Sequence, residues 1–183
     1  MRRGFSRDRK GRINVRVDPS ELLVLDDLVQ QLYALVKPES SENDDPLAAM
    51  VGIESTATEH DDPAMQRLFP QAYPDDAVAS DDFRRFTERS LREEKVERAH
   101  IVQVGISRLT AEGGQGQIPA DEVPAWLGTL NNLRLVLASR VGVSDDEGLW
   151  RRQIEHDPEL VQGAMIYDWL TWLQDSLVTV IHP

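Results

Sequence analysis

The 183-residue chain contains no cysteine. That absence excludes disulfides, thiolate nucleophiles, iron-sulfur clusters and cysteine zinc sites together. No stretch approaches the roughly 18 consecutive apolar residues of a membrane-spanning helix. The start, Met1-Arg2-Arg3-Gly4-Phe5, lacks the apolar segment of a secretion signal. The expectation is a cytoplasmic protein without membrane contact. Catalytic patterns are missing too. His60, His100, His156 and His182 show neither an H-E-x-x-H pattern nor any i, i+4 pairing, so no metal site is expected. Glu59-His60-Asp61-Asp62 could hold an adventitious metal, although a solvated polar loop is the preferred reading. There is no G-x-S-x-G elbow. Asp145, Asp146 and Glu147 are consecutive, so their side chains diverge, and an acid-rich helix start explains them. No cofactor and no enzymatic activity are expected.

What is present is enough apolar material for one core: 40% hydrophobic residues beside 28% charged. The net charge of −12 is unevenly spread. Residues 1–16 carry seven Arg or Lys against Asp8, a net +6, and leave −18 on the remainder. A body that acidic repels nucleic acid and anionic lipid, so direct DNA binding through the basic N-terminus is the disfavoured alternative. Residues 39–62 form the opposite pole, with eight acids and no Lys or Arg.

Ile13, Val15 and Val17 alternate with polar residues behind the turn-like Asp8-Arg9-Lys10-Gly11, which predicts a hairpin over about residues 3–17. Asp18-Pro19-Ser20-Glu21 reads as a capped helix start, followed by Leu22, Leu25, Val29, Leu32 and Val36 at helical spacing. Residues 39–79 read as an acidic, partly mobile connector with short helices near Leu47 to Ile53 and Met65 to Phe69. Ser80 is the expected cap of a long helix reaching about Thr110, with Phe83, Phe86, Leu91, Val96, Ala99, Val102, Ile106 and Leu109 on its apolar face. Gly113-Gly114-Gln115-Gly116 reads as a flexible turn, and Gln117-Ile118 could pair briefly with the hairpin. Further helices are expected from Asp121 to Gly142, over Glu147 to Ile154, and from Asp157 to about Ile181. The last should bury Ile166, Trp169, Leu170, Leu173 and Leu177. Trp126-Leu127-Gly128-Thr129-Leu130 is echoed by Trp169-Leu170-Thr171-Trp172-Leu173, so these two helices should pack as partners. The predicted fold is a mainly α single-domain helical bundle with a small N-terminal β-hairpin. Residues 1–17 form the hairpin, 39–79 the connector and 80–183 the helical core.

Three segments carry a family resemblance. They are Phe83-Arg84-Arg85-Phe86-Thr87-Glu88 with Leu91-Arg92 and Lys95, Ala125-Trp126-Leu127 through Asn131-Asn132-Leu133-Arg134-Leu135, and Tyr167-Asp168-Trp169-Leu170-Thr171-Trp172-Leu173-Gln174. Together with the hairpin and Arg67-Leu68-Phe69-Pro70 through Tyr73, they resemble an actinobacterial family of unknown function. That family includes proteins described as transcriptional regulators and the actinomycete oxidative stress regulator. The resemblance implies a regulatory or adaptor role through a protein partner of the transcription machinery or a regulatory protein. It marks Trp126, Asn131, Asn132, Arg134, Tyr167, Asp168, Trp169 and Trp172 as motif residues. Asn132 departs from it, since Asp is expected there. The missing cysteines depart further, because redox switching in the oxidative-stress branch is attributed to thiols.

The cations Arg7, Arg9, Lys10 and Arg12 are the candidate partner-binding residues, and a homodimer is also compatible with the two charged poles. Arg134 and Asp168 border the two Trp-Leu stripes, so a polar pair across the helix seam is expected. Tyr167, Asp168 and Arg134 are the residues an unrecognised enzyme site would use. Met165 is expected to be buried.

Overall fold

The computed structural model describes residues 3–38 and 60–182. Residues 39–59 of the acidic pole, including the helix expected near Leu47 to Ile53, lie outside the described residues. Strands β1 (Gly4–Arg7) and β2 (Ile13–Arg16) pair antiparallel, with Phe5 opposite Val15. Asp8 builds the turn between them: its Oδ1 accepts from the Arg12 and Lys10 backbone N–H groups at 3.0 and 2.8 Å, and its Oδ2 from Arg12 Nε at 2.7 Å. These bonds favour the carboxylate form and hold the Asp8 carboxyl below its ordinary range.

Helix α1 (Pro19–Val36) starts at the expected box, in which the Asp18 backbone N–H donates to Glu21 Oε2 at 3.0 Å. Leu22, Leu25, Val29, Leu32 and Val36 are buried as their period requires. The short α2 (Pro63–Leu68) is capped by Asp62. Helix α3 (Ala77–Ala111) starts earlier than expected. Asp76 is its cap, accepting from Ala79 N at 3.0 Å, and the hydroxyl of buried Ser80 instead clasps Tyr73, donating to its carbonyl at 2.8 Å. Phe83, Phe86 and Leu91, expected on the apolar face, are exposed. The reason is length: Arg92 reaches the Val36 carbonyl at the end of α1, so the earlier turns of α3 run past the helix that would cover them. Ala99, Val102, Ile106 and Leu109 beyond that point are buried.

The glycine-rich segment after α3 is a turn and a strand rather than a flexible turn. Gly113 and Gly114 take φ of +70° and +87°, and β3 (Gln115–Ile118) then pairs antiparallel with β2. A Cβ on Gly114 would stand 2.2 Å from the Val17 carbonyl oxygen, so only glycine fits this crossing. The sheet order is β1-β2-β3. Helices α4 (Val123–Val141), α5 (Glu147–Ile154) and α6 (Pro158–Ile181) complete the chain, α4 ending at Gly142 with φ +72°. The architecture is a mainly α bundle with a small sheet at the N-terminus.

The Trp-Leu helices α4 and α6 pack against each other, as expected. Leu130 and Leu133 share one core with Leu170, Leu173 and Leu177, and Phe5 and Val15 of the hairpin join that core. Trp126 is fully buried, edge-on to Phe5 at 5.8 Å, and a Cβ on Gly105 would come 2.7 Å from its ring. The echoing motif is less buried. Trp169 and Ile166 are half-buried, while Trp172 is 41% exposed and leans on Gly4. Met165, expected inside, is 68% exposed. A smaller core joins Val141, Trp150, Ile154 and Ala164. No helix among the described residues is long and apolar enough to cross a membrane.

Candidate functional site

The α4–α6 seam places the motif residues, but not in the expected pairing. Arg134 donates from Nε to Thr171 Oγ1 and from Nη1 to Gln174 Oε1, both at 2.9 Å, with its Cζ 5.6 Å above the Tyr167 ring. Tyr167, Thr171 and Gln174 recur at helical spacing and face α4 together. Asp168 is rotated about 100° from Tyr167 on the helix. It therefore meets α5, accepting from Arg151 Nη1 and Nη2 at 3.1 and 2.9 Å. The expected Arg134–Asp168 pair is thus replaced by two separate arrangements. The Asp168 and Glu147 carboxylates beside Arg151 raise its guanidinium above the ordinary value.

Asn132 is buried and its Oδ1 accepts from Lys95 Nζ at 3.4 Å. Lys95 has no carboxylate ion pair among the described residues, and burial pushes its ammonium below the ordinary lysine value, with the Arg98 charge adding to the effect. Lys95 and Arg92 both stand over the Phe69 ring, at 5.4 and 5.0 Å.

Beside them lies a charge cluster that sequence reading missed. Glu88, 4% exposed, accepts from Arg92 Nε at 2.8 Å, meets His60 Nε2 at 2.8 Å and Arg84 Nε at 3.5 Å. His60 is therefore an internal contact rather than part of a solvated loop. Asp62 is also engaged, bonded by Arg140 Nη2 at 2.6 Å, which holds its carboxyl below the ordinary range and ties α2 to α4. No metal-binding cluster occurs among the described residues. Arg84, Glu88 and Arg92 repeat at i, i+4, a signal visible in sequence as one charged stripe. The contribution of His60, 28 residues away from Glu88, has no local signal.

Arg67, Asn131, Arg134 and Tyr167 converge on a cleft of about 240 Å³ at the junction of α2, α4 and α6, closed on one side by Ser144 and Asp145. The structure thus gathers three motif residues, Asn131, Arg134 and Tyr167, into one concavity. Asp168, Trp169 and Trp172 do not line it.

At the other end of the chain, the β1–β2 turn sorts the N-terminal cations into two groups. Arg12 is bonded to Asp8, and Arg3 pairs with Asp18 and Glu21 at 2.6 and 2.5 Å. Arg7, Arg9 and Lys10 stand exposed at the turn and have no side-chain ion pair among the described residues, and the same holds for Arg16 at the far end of β2.

The family model for a domain of unknown function, DUF2017, matches residues 1–181. The chain belongs to the DUF2017 family. Among curated relatives it is similar to the oxidative stress regulator AosR of Mycobacterium bovis (strain ATCC BAA-935 / AF2122/97) and of Mycobacterium tuberculosis (strain ATCC 25618 / H37Rv). Each is 30% identical over 175 residues, covering 89% of this chain and 79% of the relative. No solved structure matches the chain. The DUF2017 chain described here, lacking cysteine, has no thiol with which to sense an oxidant.

Proposed function

We propose that the chain is a non-enzymatic regulatory protein that acts through a protein partner associated with transcription, and that Arg7, Arg9 and Lys10 form the contact. The observation that carries the reading is the sorting of the N-terminal cations. Arg3 and Arg12 are used internally, whereas the three at the turn are held out by a strand pair and bonded to no acid among the described residues. Such a point of uncancelled charge on an acidic molecule steers an acidic partner surface into register. The name of the mycobacterial relatives, oxidative stress regulator, supports the regulatory half of the reading. The convergence of Arg134 and Tyr167 with neutral partners, and of Asp168 with Arg151, offers no nucleophile and base in mutual reach.

Quantitative capture from a native lysate tests the proposal, using the intact chain and an Arg7→Ser, Arg9→Ser, Lys10→Ser variant as bait. A protein retained by the intact chain should fall at least about tenfold with the variant, on the scale of lost charge-assisted contacts. Equal capture by both baits contradicts it. Direct DNA binding predicts instead a log-log salt slope of about −3 for three phosphate contacts on duplex DNA.

A further inference from the structure

The cleft at the junction of α2, α4 and α6 shares no residue with the partner contact above, and its chemistry is of another kind. Arg134 is built into it. Two neutral acceptors, Thr171 and Gln174, fix the guanidinium in place while leaving its charge uncancelled. Its Nη2 has no acceptor among the described residues. Arg67 also lines the cleft, donating from Nη2 to the Val143 carbonyl at 3.4 Å, and it too has no ion pair among the described residues. Two oriented guanidiniums facing one small space suit a planar anion bound in bidentate fashion.

The remaining lining narrows the choice of anion. Asp145 is the one carboxylate of the wall among the described residues, so it opposes a dianion and offers an acceptor to an amine or hydroxyl. Leu135, Ala138 and Val143 supply apolar surface in the same lining. A volume of about 240 Å³ lies below the roughly 300–1,000 Å³ of drug-sized ligand pockets, which limits the occupant to about the size of a single amino or hydroxy acid. We propose that this cleft binds a small amphiphilic carboxylate: its carboxylate meets Arg134 and Arg67, its amine or hydroxyl meets Asp145, and its apolar body lies on Leu135, Ala138 and Val143. The DUF2017 chain would then carry a metabolite site in addition to its partner contact.

The test is an NMR titration of the isotope-labelled full chain with L-leucine, acetate and inorganic phosphate. L-leucine should shift the Arg134 Nε–H and the Ala138 and Val143 amides saturably, and acetate should do so several-fold more weakly. Arg67→Gln should weaken L-leucine about tenfold, the scale of one lost hydrogen bond to a charged group. Asp145→Asn should weaken L-leucine while leaving acetate unchanged. Arg134→Gln should abolish binding, and because Arg134 also joins α4 to α6, the exposed Arg67 carries the test if that variant unfolds. The proposal is overturned if neither carboxylate gives a saturable shift, if phosphate binds more tightly than L-leucine, or if Arg67→Gln binds L-leucine like the intact chain.

Discussion

At the scale of single residues, rotation about a helix axis decides which charges meet. Arg134 and Asp168 both border the seam that the Trp-Leu motifs announce, and sequence spacing alone makes them partners. The helix turns Asp168 toward Arg151, where both side chains are half exposed. Asp168→Ala should therefore cost less than about 1 kcal/mol, as for other exposed ion pairs, and its effect should add to that of Arg134→Ala in urea unfolding. A coupling energy well above that value would place the two residues in contact after all. Lys95 poses the opposite case, an ammonium depressed by burial beside neutral Asn132. Asn132→Asp introduces the residue that the family resemblance implies at this position, and with it a counter-ion for Lys95. Since a paired carboxylate has a lower pKa folded than unfolded, its contribution is present above the ordinary carboxylate range and lost as pH falls through the folded value. We expect a gain of about 1 kcal/mol at pH 7 that disappears in acid, read by urea unfolding at both pH values. Destabilisation at pH 7 would show that desolvation of the new charge outweighs its pairing.

At the scale of elements, legibility follows whether the determining contacts are local. Helix α1 was readable from Asp18, Pro19 and Glu21 because its cap and apolar period are contained in the segment itself. The start of α3 was misplaced because Asp76 and Ser80 are both capping residues by type, and only the fold shows that Ser80 is committed to Tyr73. Strand β3 was half hidden, since Gln115 and Gly116 have little strand propensity and the pairing comes from β2. Gly114→Ala should be among the most damaging substitutions, costing roughly 2–4 kcal/mol in urea unfolding through the φ of +87° and the Val17 carbonyl beneath it. A loss below 1 kcal/mol would mean that the sheet shifts to admit the methyl group. The α2–α4 tie gives a pH signature. Asp62 is held low by Arg140, so its contribution is complete above the ordinary carboxylate range and lost as pH falls through its folded value. Asp62→Asn retains the helix cap and should lose up to about 1 kcal/mol at pH 7 but almost nothing in acid, because the pair is partly exposed.

At the scale of the whole molecule, the fold class was readable from periodicity, while the convergence of motif residues in the cleft and the Glu88 cluster were not, because each joins segments far apart in sequence. The absence of cysteine remains the firmest molecular constraint. Diamide should leave the chain unchanged, whereas peroxide should oxidise exposed Met165 well before buried Met65, a difference that peptide mass spectrometry resolves. The proposed function accordingly rests on charge and packing rather than on a thiol. The most direct test of that account is the association rate of the captured partner with the intact chain and with the Arg7→Ser, Arg9→Ser, Lys10→Ser variant across ionic strength. The account predicts a rate that falls with salt for the intact chain and a slower, nearly salt-independent rate for the variant, with the melting temperature unchanged. Equal rates and equal salt dependence for the two proteins would contradict it.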